Sequence, residues 1–393
     1  MDDVKLFAKK EKLKLMVSVK KLNALTSLRF VAAALIVIHH SRGLFGFGEY
    51  LLFPFQLDQG VSFFFVLSGF ILAYAYPNLN GFKNISRFLL SRFARIWPAH
   101  VVAFLLLCLL FPSPFEWYSL RGYNPFLLAG VNLFMVHGWI PIETYFFSFN
   151  NVSWSISTEF FFYLCFPFLI YRWKQTWMIK LAATFLLVLV LIIFCDLVHV
   201  PQYQTGLLYI SPLGRIFEFV FGMTICYIRS KIVHRIVCKN TIGTFIELFT
   251  VGLVVISMYF SVYWANSLKD RIGMGGAEWF IHSGSCLLFG ILILVIALEN
   301  GVVSLLLSFP IPVLLGEISY SIYLTHQVLL RYYQWKSKDF VVISGWFTYV
   351  LFWIILLILA FLIWRLIERP CRQCLVTLWP KRCDLEAKSD DYN

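Results

Sequence analysis

Residues 27–40, SLRFVAAALIVIHH, place one arginine and two histidines in an otherwise apolar helix. Arg29 and His40 are three helical turns plus about 20° apart, so they share one face and are separated by about 16 Å along the axis. His39 points about 100° away. A charged side chain at membrane depth costs about 2.5–3.5 kcal/mol on insertion scales and indicates a functional role. The alternative is a snorkelling arginine near the helix start and a histidine near its end.

The composition indicates an all-α, polytopic membrane protein. Apolar residues make up 60% of the chain and charged residues 14%, whereas a soluble domain has about 25% charged residues. Long apolar runs recur along the chain and predict about ten transmembrane helices. The predicted spans are 25–43, 57–77, 96–111, 153–171, 180–199, 209–228, 243–263, 279–298, 316–334 and 345–367.

The distribution of Lys and Arg predicts the topology. The net charge of +12 comes largely from alternate connections between the spans, which favours membrane orientation over nucleic acid binding as its cause. Both termini are therefore predicted to be cytosolic. The organisation has three parts: a basic cytosolic segment (1–24), a transmembrane domain (25–370) and a cytosolic tail that is predicted to be disordered (371–393).

The nine cysteines do not indicate a metal site. Most of them fall in apolar spans, where cysteine behaves as a small hydrophobic residue. Cys371 and Cys374 form one C-x-x-C with Cys383 nearby, but no histidine pair accompanies them. No bound metal is predicted.

Two motifs on the second span and after it are candidates for ligand binding. Ser68 and Gly69 lie among bulky residues, which indicates either a helix-packing groove or close approach of a ligand to the backbone. Arg92 and Arg95 share a helical face at i, i+3. Their guanidinium groups match phosphate oxygens bidentately, while the alternative is positive-inside anchoring at the membrane surface.

Two later spans carry further polar residues. Glu159 lies about 9 Å below the start of its span and needs a partner at that depth. We expect it to pair with His40, as a general base requires, although a structural ion pair with Arg29 or Arg215 is the alternative. One side of the ninth span carries Tyr320, Tyr323 and His326. The alternative to a functional role for these residues is packing in an aromatic core.

These motifs, taken in order, resemble those of the acyltransferase-3 family of bacterial integral membrane acyltransferases. Arg29 and His40 resemble its first-helix motif, and Phe64, Phe65, Ser68 and Gly69 match FFxxSG. Arg92 and Arg95 match RxxR; WSISTEFFFYLCFP, SYSIYLTH and IERP resemble later segments. One departure is Ser62, where many members have aspartate. Because serine cannot act as a carboxylate, Glu159 becomes the favoured candidate for the catalytic carboxylate.

The resemblance implies an enzyme of the cytoplasmic (inner) membrane that moves an acyl group, most often acetyl, from cytosolic acyl-coenzyme A to a hydroxyl of an extracytoplasmic glycan. Acyl-CoA is then a co-substrate, and no cofactor is bound permanently. The implied residues are His40 as base or nucleophile with Glu159 orienting it. Arg29, Ser68, Gly69, Arg92 and Arg95 would hold acyl-CoA, and Tyr320, His326 and Trp154 would bind the acceptor.

A secondary transporter or flippase for a glycan or lipid precursor is the competing interpretation. Polytopic helices with buried charges suit it equally. Against it, the sequence lacks paired Gly/Pro-interrupted spans in matching halves, which are the usual sign of inverted repeats.

Overall fold

A computed structural model describes residues 20–46, 55–111, 114–198, 201–233, 240–336 and 345–378. Helices connected by turns make up these residues, and no strand occurs among them. Ten of the described helices have twelve residues or more. In chain order they are α1 (Asn23–Ser41), α2 (Gly60–Ala75), α3 (Phe82–Leu110), α4 (Trp154–Ile170), α5 (Trp173–Val198), α6 (Pro212–Ile232), α7 (Asn240–Ser283), α8 (Cys286–Ala297), α9 (Pro310–Lys336) and α10 (Gly345–Ile363).

The helices are those of a multi-pass membrane protein. Eight helical stretches in the described part of the chain are long and apolar enough to cross a membrane. Each of the ten predicted spans overlaps one of α1–α10, and the count of ten spans stays a prediction. Residues 240–297, where the sequence predicts two spans, count as one of the eight stretches, although their backbone departs from helical geometry at Gly273 and turns between α7 and α8. Helix α9 is not among the eight because polar side chains interrupt its middle.

The basic segment and the tail differ in part from their predicted bounds. Residues 1–19 lie outside the described residues, and α1 begins at Asn23, two residues before the predicted span. Beyond α10 the chain continues into helix α11, Arg369–Leu378. Residues 371–378 are therefore helical and not part of a disordered tail, while 379–393 lie outside the described residues.

Two glycines let α2 and α6 pack backbone to backbone. A Cβ added to Gly69 would lie 1.9 Å from the carbonyl oxygen of Phe219, and one added to Gly222 would lie 1.9 Å from that of Val66. Such reciprocal contacts are typical of helix pairs in membranes. Gly69 is thus a packing residue, as the helix-packing alternative expects, while its contact with an acyl donor stays a prediction.

Substituting Gly69 by alanine should destabilise the bundle, because the new methyl group would overlap a backbone atom that no side-chain rotation can move. Overpacking costs about 1–3 kcal/mol. We expect a lower melting temperature in detergent and less protein in the membrane. Gly252→Ala is the matched control, since nothing lies within 4 Å of its added Cβ. Equal melting temperatures for the two variants would contradict the packing role.

Helices α1 and α9 pack against each other and run parallel. Near their starts, a Cβ added to Gly316 would lie 1.9 Å from the carbonyl oxygen of Thr26. Toward their other ends, His40 contacts His326. We call the end of the bundle near the start of α1 the basic end, because it carries several cationic side chains, namely Lys20, Lys21, Arg92 and Arg372.

Candidate active site

A cavity of about 420 Å³ opens at the basic end and extends into the bundle. Helices α1, α2, α3, α4 and α9 contribute to its walls, and α11 contributes Arg372. Apolar and aromatic side chains line much of it, so a bound group is sheltered from water. Its cationic side chains are Lys20, Lys21, Arg29, Arg92, Arg95 and Arg372.

A second cavity of about 530 Å³ adjoins the first. The two share Arg29, Arg95 and Tyr320 among their lining residues. The second cavity also includes Glu368, which accepts a hydrogen bond from the Ser321 hydroxyl. Glu368 is the last residue of the π-helical segment Trp364–Glu368, which joins α10 to α11. Together the two cavities accommodate a ligand longer than either alone.

The predicted arginine pair lines the cavity as expected, and each arginine is held differently. Arg92 is buried, donates to the Tyr76 hydroxyl at 3.3 Å and lies over the Tyr76 ring. Arg95 is half-buried and lines both cavities. Both lie within α3, which begins at Phe82, so the motif is part of a helix that enters the bundle.

Glu159 lies inside the first cavity and not beside His40. Its Oε1 accepts hydrogen bonds from Ser68 Oγ at 3.1 Å and from the Tyr163 hydroxyl at 2.5 Å. Arg29 and Arg95 are near enough to interact with it electrostatically. The prediction that Glu159 pairs with His40 is therefore wrong, and the alternative of an electrostatic partner in Arg29 fits the structure.

His40 is instead paired with His326. His40 Nδ1 and His326 Nε2 are 3.0 Å apart, and the two rings are stacked with centroids 5.2 Å apart. His326 Nδ1 is 2.6 Å from the carbonyl oxygen of Tyr323. His326 is fully buried, whereas His40 is partly exposed. His326, which the resemblance assigns to acceptor binding, is thus in direct contact with His40.

An aromatic layer separates the first cavity from this histidine pair. Tyr323 and Phe64 both line the cavity, and their ring centroids are 6.2 Å apart. The Tyr323 hydroxyl is fixed by Ser155 Oγ at 2.7 Å and by the carbonyl oxygen of Val152 at 3.1 Å. On its other side, the Tyr323 ring centroid is 5.7 Å from that of His326. The cavity therefore ends about one turn of α9 before the histidines.

The remaining predicted acceptor residues, Tyr320 and Trp154, make other contacts. Tyr320 lines both cavities and donates to the carbonyl oxygen of Ile96 at 2.8 Å, so it belongs to the basic end. Trp154 is buried and packs against Tyr209, with ring centroids 4.7 Å apart. Its burial leaves it as a core residue.

A second polar cluster, which the sequence did not reveal, lies just before α2 and near the end of α7. Asp58 Oδ2 is 2.7 Å from His282 Nδ1, and His282 Nε2 is 3.7 Å from Glu278 Oε1. The Tyr209 ring stacks on His282 with centroids 3.9 Å apart. Asp58 is near enough to His40 to interact electrostatically. Asp58 is far in sequence from His282 and Glu278, so no spacing could have indicated this cluster.

Arg215 and Glu218 are three residues apart on α6 and form a buried ion pair with 3.2 Å between Nη2 and Oε2. Glu218 also accepts from Ser62 Oγ at 3.0 Å. A carboxylate from α6 therefore lies beside Ser62, the position at which the sequence departs from the motif that it resembles. Within the described ranges, no group of three His, Cys, Asp or Glu is placed to hold a metal ion. Cys383 lies outside these ranges.

The fold and these sites define a multi-pass membrane protein that has a cation-rich internal cavity at one end and a buried histidine pair beyond it. The model of a family described as an acyltransferase domain matches residues 22–369, nearly the whole described chain. The protein belongs to this family, the acyltransferase-3 family of membrane acyltransferases.

Two curated relatives are similar over shorter stretches. An acyltransferase, MdmB, from Streptomyces mycarofaciens is 37% identical over 155 residues, which cover 38% of this chain and 39% of the relative. Protein 2 in the picA locus of Rhizobium radiobacter is 38% identical over 89 residues, which cover 22% of this chain and 44% of the relative. The chain thus matches less than half the length of either relative. No solved structure matches the chain significantly.

Proposed function

We propose that the protein is an O-acyltransferase of the cytoplasmic membrane, which takes an acetyl group from cytosolic acetyl-CoA and transfers it to a hydroxyl of an extracytoplasmic glycan. The observation that carries this proposal is the cavity, which combines a cationic mouth with an apolar interior that approaches the histidine pair. Coenzyme A has matching asymmetry, because its phosphates are at the nucleotide end and its thioester is at the other end of a long arm.

The cationic side chains of the basic end match the negative charge of the phosphates of coenzyme A. Arg92, Arg95 and Arg372 are positioned for the phosphates, since guanidinium groups bind phosphate oxygens bidentately. The pantetheine arm would then extend past Arg29 and Ser68 toward the layer formed by Phe64 and Tyr323. Positive-inside asymmetry assigns the basic end to the cytosol.

The acceptor is assigned to the opposite end of α1, where His40 is partly exposed. The Asp58–His282–Glu278 cluster lies there and offers carboxylate oxygens to sugar hydroxyls, and the side chains of His282 and Glu278 keep 16% and 24% of their surface exposed. The stacked Tyr209 ring adds an apolar face of the kind that packs against sugar rings.

In the proposed reaction His40 removes the proton of the acceptor hydroxyl while the oxygen attacks the thioester carbonyl. A carbon–oxygen bond forms, the carbon–sulfur bond breaks, and the proton passes to the departing thiolate of coenzyme A. In the other course His40 Nε2 attacks the thioester carbonyl itself, the carbon–sulfur bond breaks, and the coenzyme A thiolate leaves an acyl-imidazole behind. The acceptor hydroxyl then attacks this acyl group, the carbon–nitrogen bond breaks to restore His40, and the hydroxyl proton passes to the thiolate. Either course requires that the thioester passes the layer formed by Phe64 and Tyr323.

The test of this function compares surface glycan from cells that lack the protein with glycan from complemented cells by mass spectrometry. We expect one additional acyl group per modified sugar in the complemented cells. Whole chains missing from the deletion strain would instead support the secondary transporter or flippase. Unchanged glycan in both respects would contradict the proposal.

A smaller side chain in the layer formed by Phe64 and Tyr323 should let water reach the thioester. Phe64→Ala should open the cavity toward the other end and admit water to the thioester, since closed sites protect reactive intermediates from hydrolysis. We expect faster release of free coenzyme A thiol in the absence of acceptor, measured with purified protein in detergent. Phe126→Ala, at an exposed residue outside the cavity, is the control. Hydrolysis at the wild-type rate would show that this layer does not exclude water.

A further inference from the structure

The hydrogen bonds of the histidine pair assign its protons. The carbonyl oxygen of Tyr323 can only accept a hydrogen bond, so the contact at 2.6 Å requires that His326 Nδ1 carries its proton. A neutral imidazole has one N–H, which leaves a lone pair on His326 Nε2. That lone pair faces His40 Nδ1 at 3.0 Å. The donor in this second bond is therefore His40 Nδ1.

From this chain of bonds we infer that His326 is a positioning residue, which holds His40 in the tautomer whose Nε2 is unprotonated and is the reacting atom. The inference rests on the proposed function, and it goes further by naming the atom and the residue that controls it. Both proposed courses of the reaction need this lone pair, either to take the hydroxyl proton or to attack the carbonyl carbon.

The arrangement also suits the charged form that appears during the reaction. When His40 Nε2 gains the proton of the acceptor, Nδ1 keeps its own proton and its bond to His326. No side chain has to move at that moment, which is the advantage of a preorganised site. His326 itself is fully buried and its Nδ1 is bonded to the backbone of the same helix, so its ring cannot turn without losing that bond.

In this site a buried histidine takes the orienting role for which the sequence suggested a carboxylate. A carboxylate would accept from Nδ1 in the same way, but it would add a negative charge to an apolar layer between the two ends of the bundle. A neutral imidazole acceptor controls the tautomer without that desolvation cost.

The first part of the test is kinetic. Purified His326→Ala should lose about 100-fold in kcat, the lower part of the range that general base catalysis contributes, with KM for acetyl-CoA unchanged. His326→Gln can present its amide oxygen to His40 Nδ1 and should recover much of the lost kcat. A kcat of His326→Ala equal to that of the wild type, or no recovery in His326→Gln when the two variants melt alike, would overturn the positioning role.

The second part does not depend on activity. Solid-state nitrogen NMR of histidine-labelled protein in lipid reports which ring nitrogen carries a proton, and His40→Ala identifies the signals of His40. We expect Nδ1–H and bare Nε2 for His40 in the wild type, and a mixture of tautomers in His326→Ala. A wild-type His40 protonated on Nε2 alone would overturn the inference. If the wild type shows this tautomer yet transfers no acyl group, the proposed function fails and the assignment of protons stands.

Discussion

His40→Ala should reduce acyl transfer by about 10²- to 10⁴-fold, because it removes the lone pair that accepts the hydroxyl proton or attacks the thioester. The change lies at a partly exposed position near the end of α1, beyond the donor cavity. Insertion of the protein into the membrane and its affinity for acetyl-CoA should therefore remain those of the wild type. The measurement is the acyl content of surface glycan in cells that carry the variant, together with transfer by the purified enzyme.

His39→Ala is the control for this prediction. His39 lies on the same helix, and its ring centroid is 5.4 Å from that of His40. Its side chain, however, leaves the helix in a direction about 100° away from that of His40. We expect transfer within a few-fold of the wild type. Retained acylation in His40→Ala would refute the catalytic role, and equal loss in both variants would indicate a general disturbance of this part of α1.

Arg95→Ala should weaken the binding of acetyl-CoA by roughly 10- to 100-fold, since hydrogen bonds to charged groups contribute about 1.5–3 kcal/mol. Arg95 lines both cavities, so its removal affects the donor along much of its length. The Kd for acetyl-CoA or coenzyme A, measured by direct titration of the purified protein, reports this effect. Arg95→Lys should have an intermediate Kd, because lysine keeps the charge but not the planar fork.

The matched control is Arg87→Ala. Arg87 lies on the same helix and at the same end, but it is exposed and does not line the cavities. Its removal should leave the Kd unchanged. If Arg95→Ala also binds acetyl-CoA with the affinity of the wild type, the arginines of α3 act only as membrane anchors.

Much of the donor cavity could be predicted from the sequence. Arg29 and Glu159 are unusual at membrane depth, and Arg92 and Arg95 recur at helical spacing, so the residue types and their spacing are enough to indicate a site. Ser68, a candidate for close approach to the ligand, lines the cavity while its hydroxyl donates to Glu159. The apolar runs also located the helices themselves, since all ten predicted spans overlap them.

The partner of His40 could not be predicted, because periodicity within one helix does not say which helix packs beside it. Glu159 and His326 were both available as partners. The close contact of Gly316 with Thr26 brings α9 against α1 and selects His326. Gly69 illustrates the same point, because a small residue in a span suits either a ligand or a neighbouring helix, and only the position of Phe219 shows that a helix packs here.

The central proposal is transfer across the bilayer, and it is tested most directly in sealed vesicles. The protein is reconstituted, acetyl-CoA with a radiolabelled acetyl group is supplied on the side of the basic end, and glycan purified from cells that lack the protein is enclosed on the other side. We predict that the label appears on the enclosed glycan, and that it does not in vesicles with His40→Ala. Label that reaches the glycan only when both substrates are on the same side would contradict the proposal.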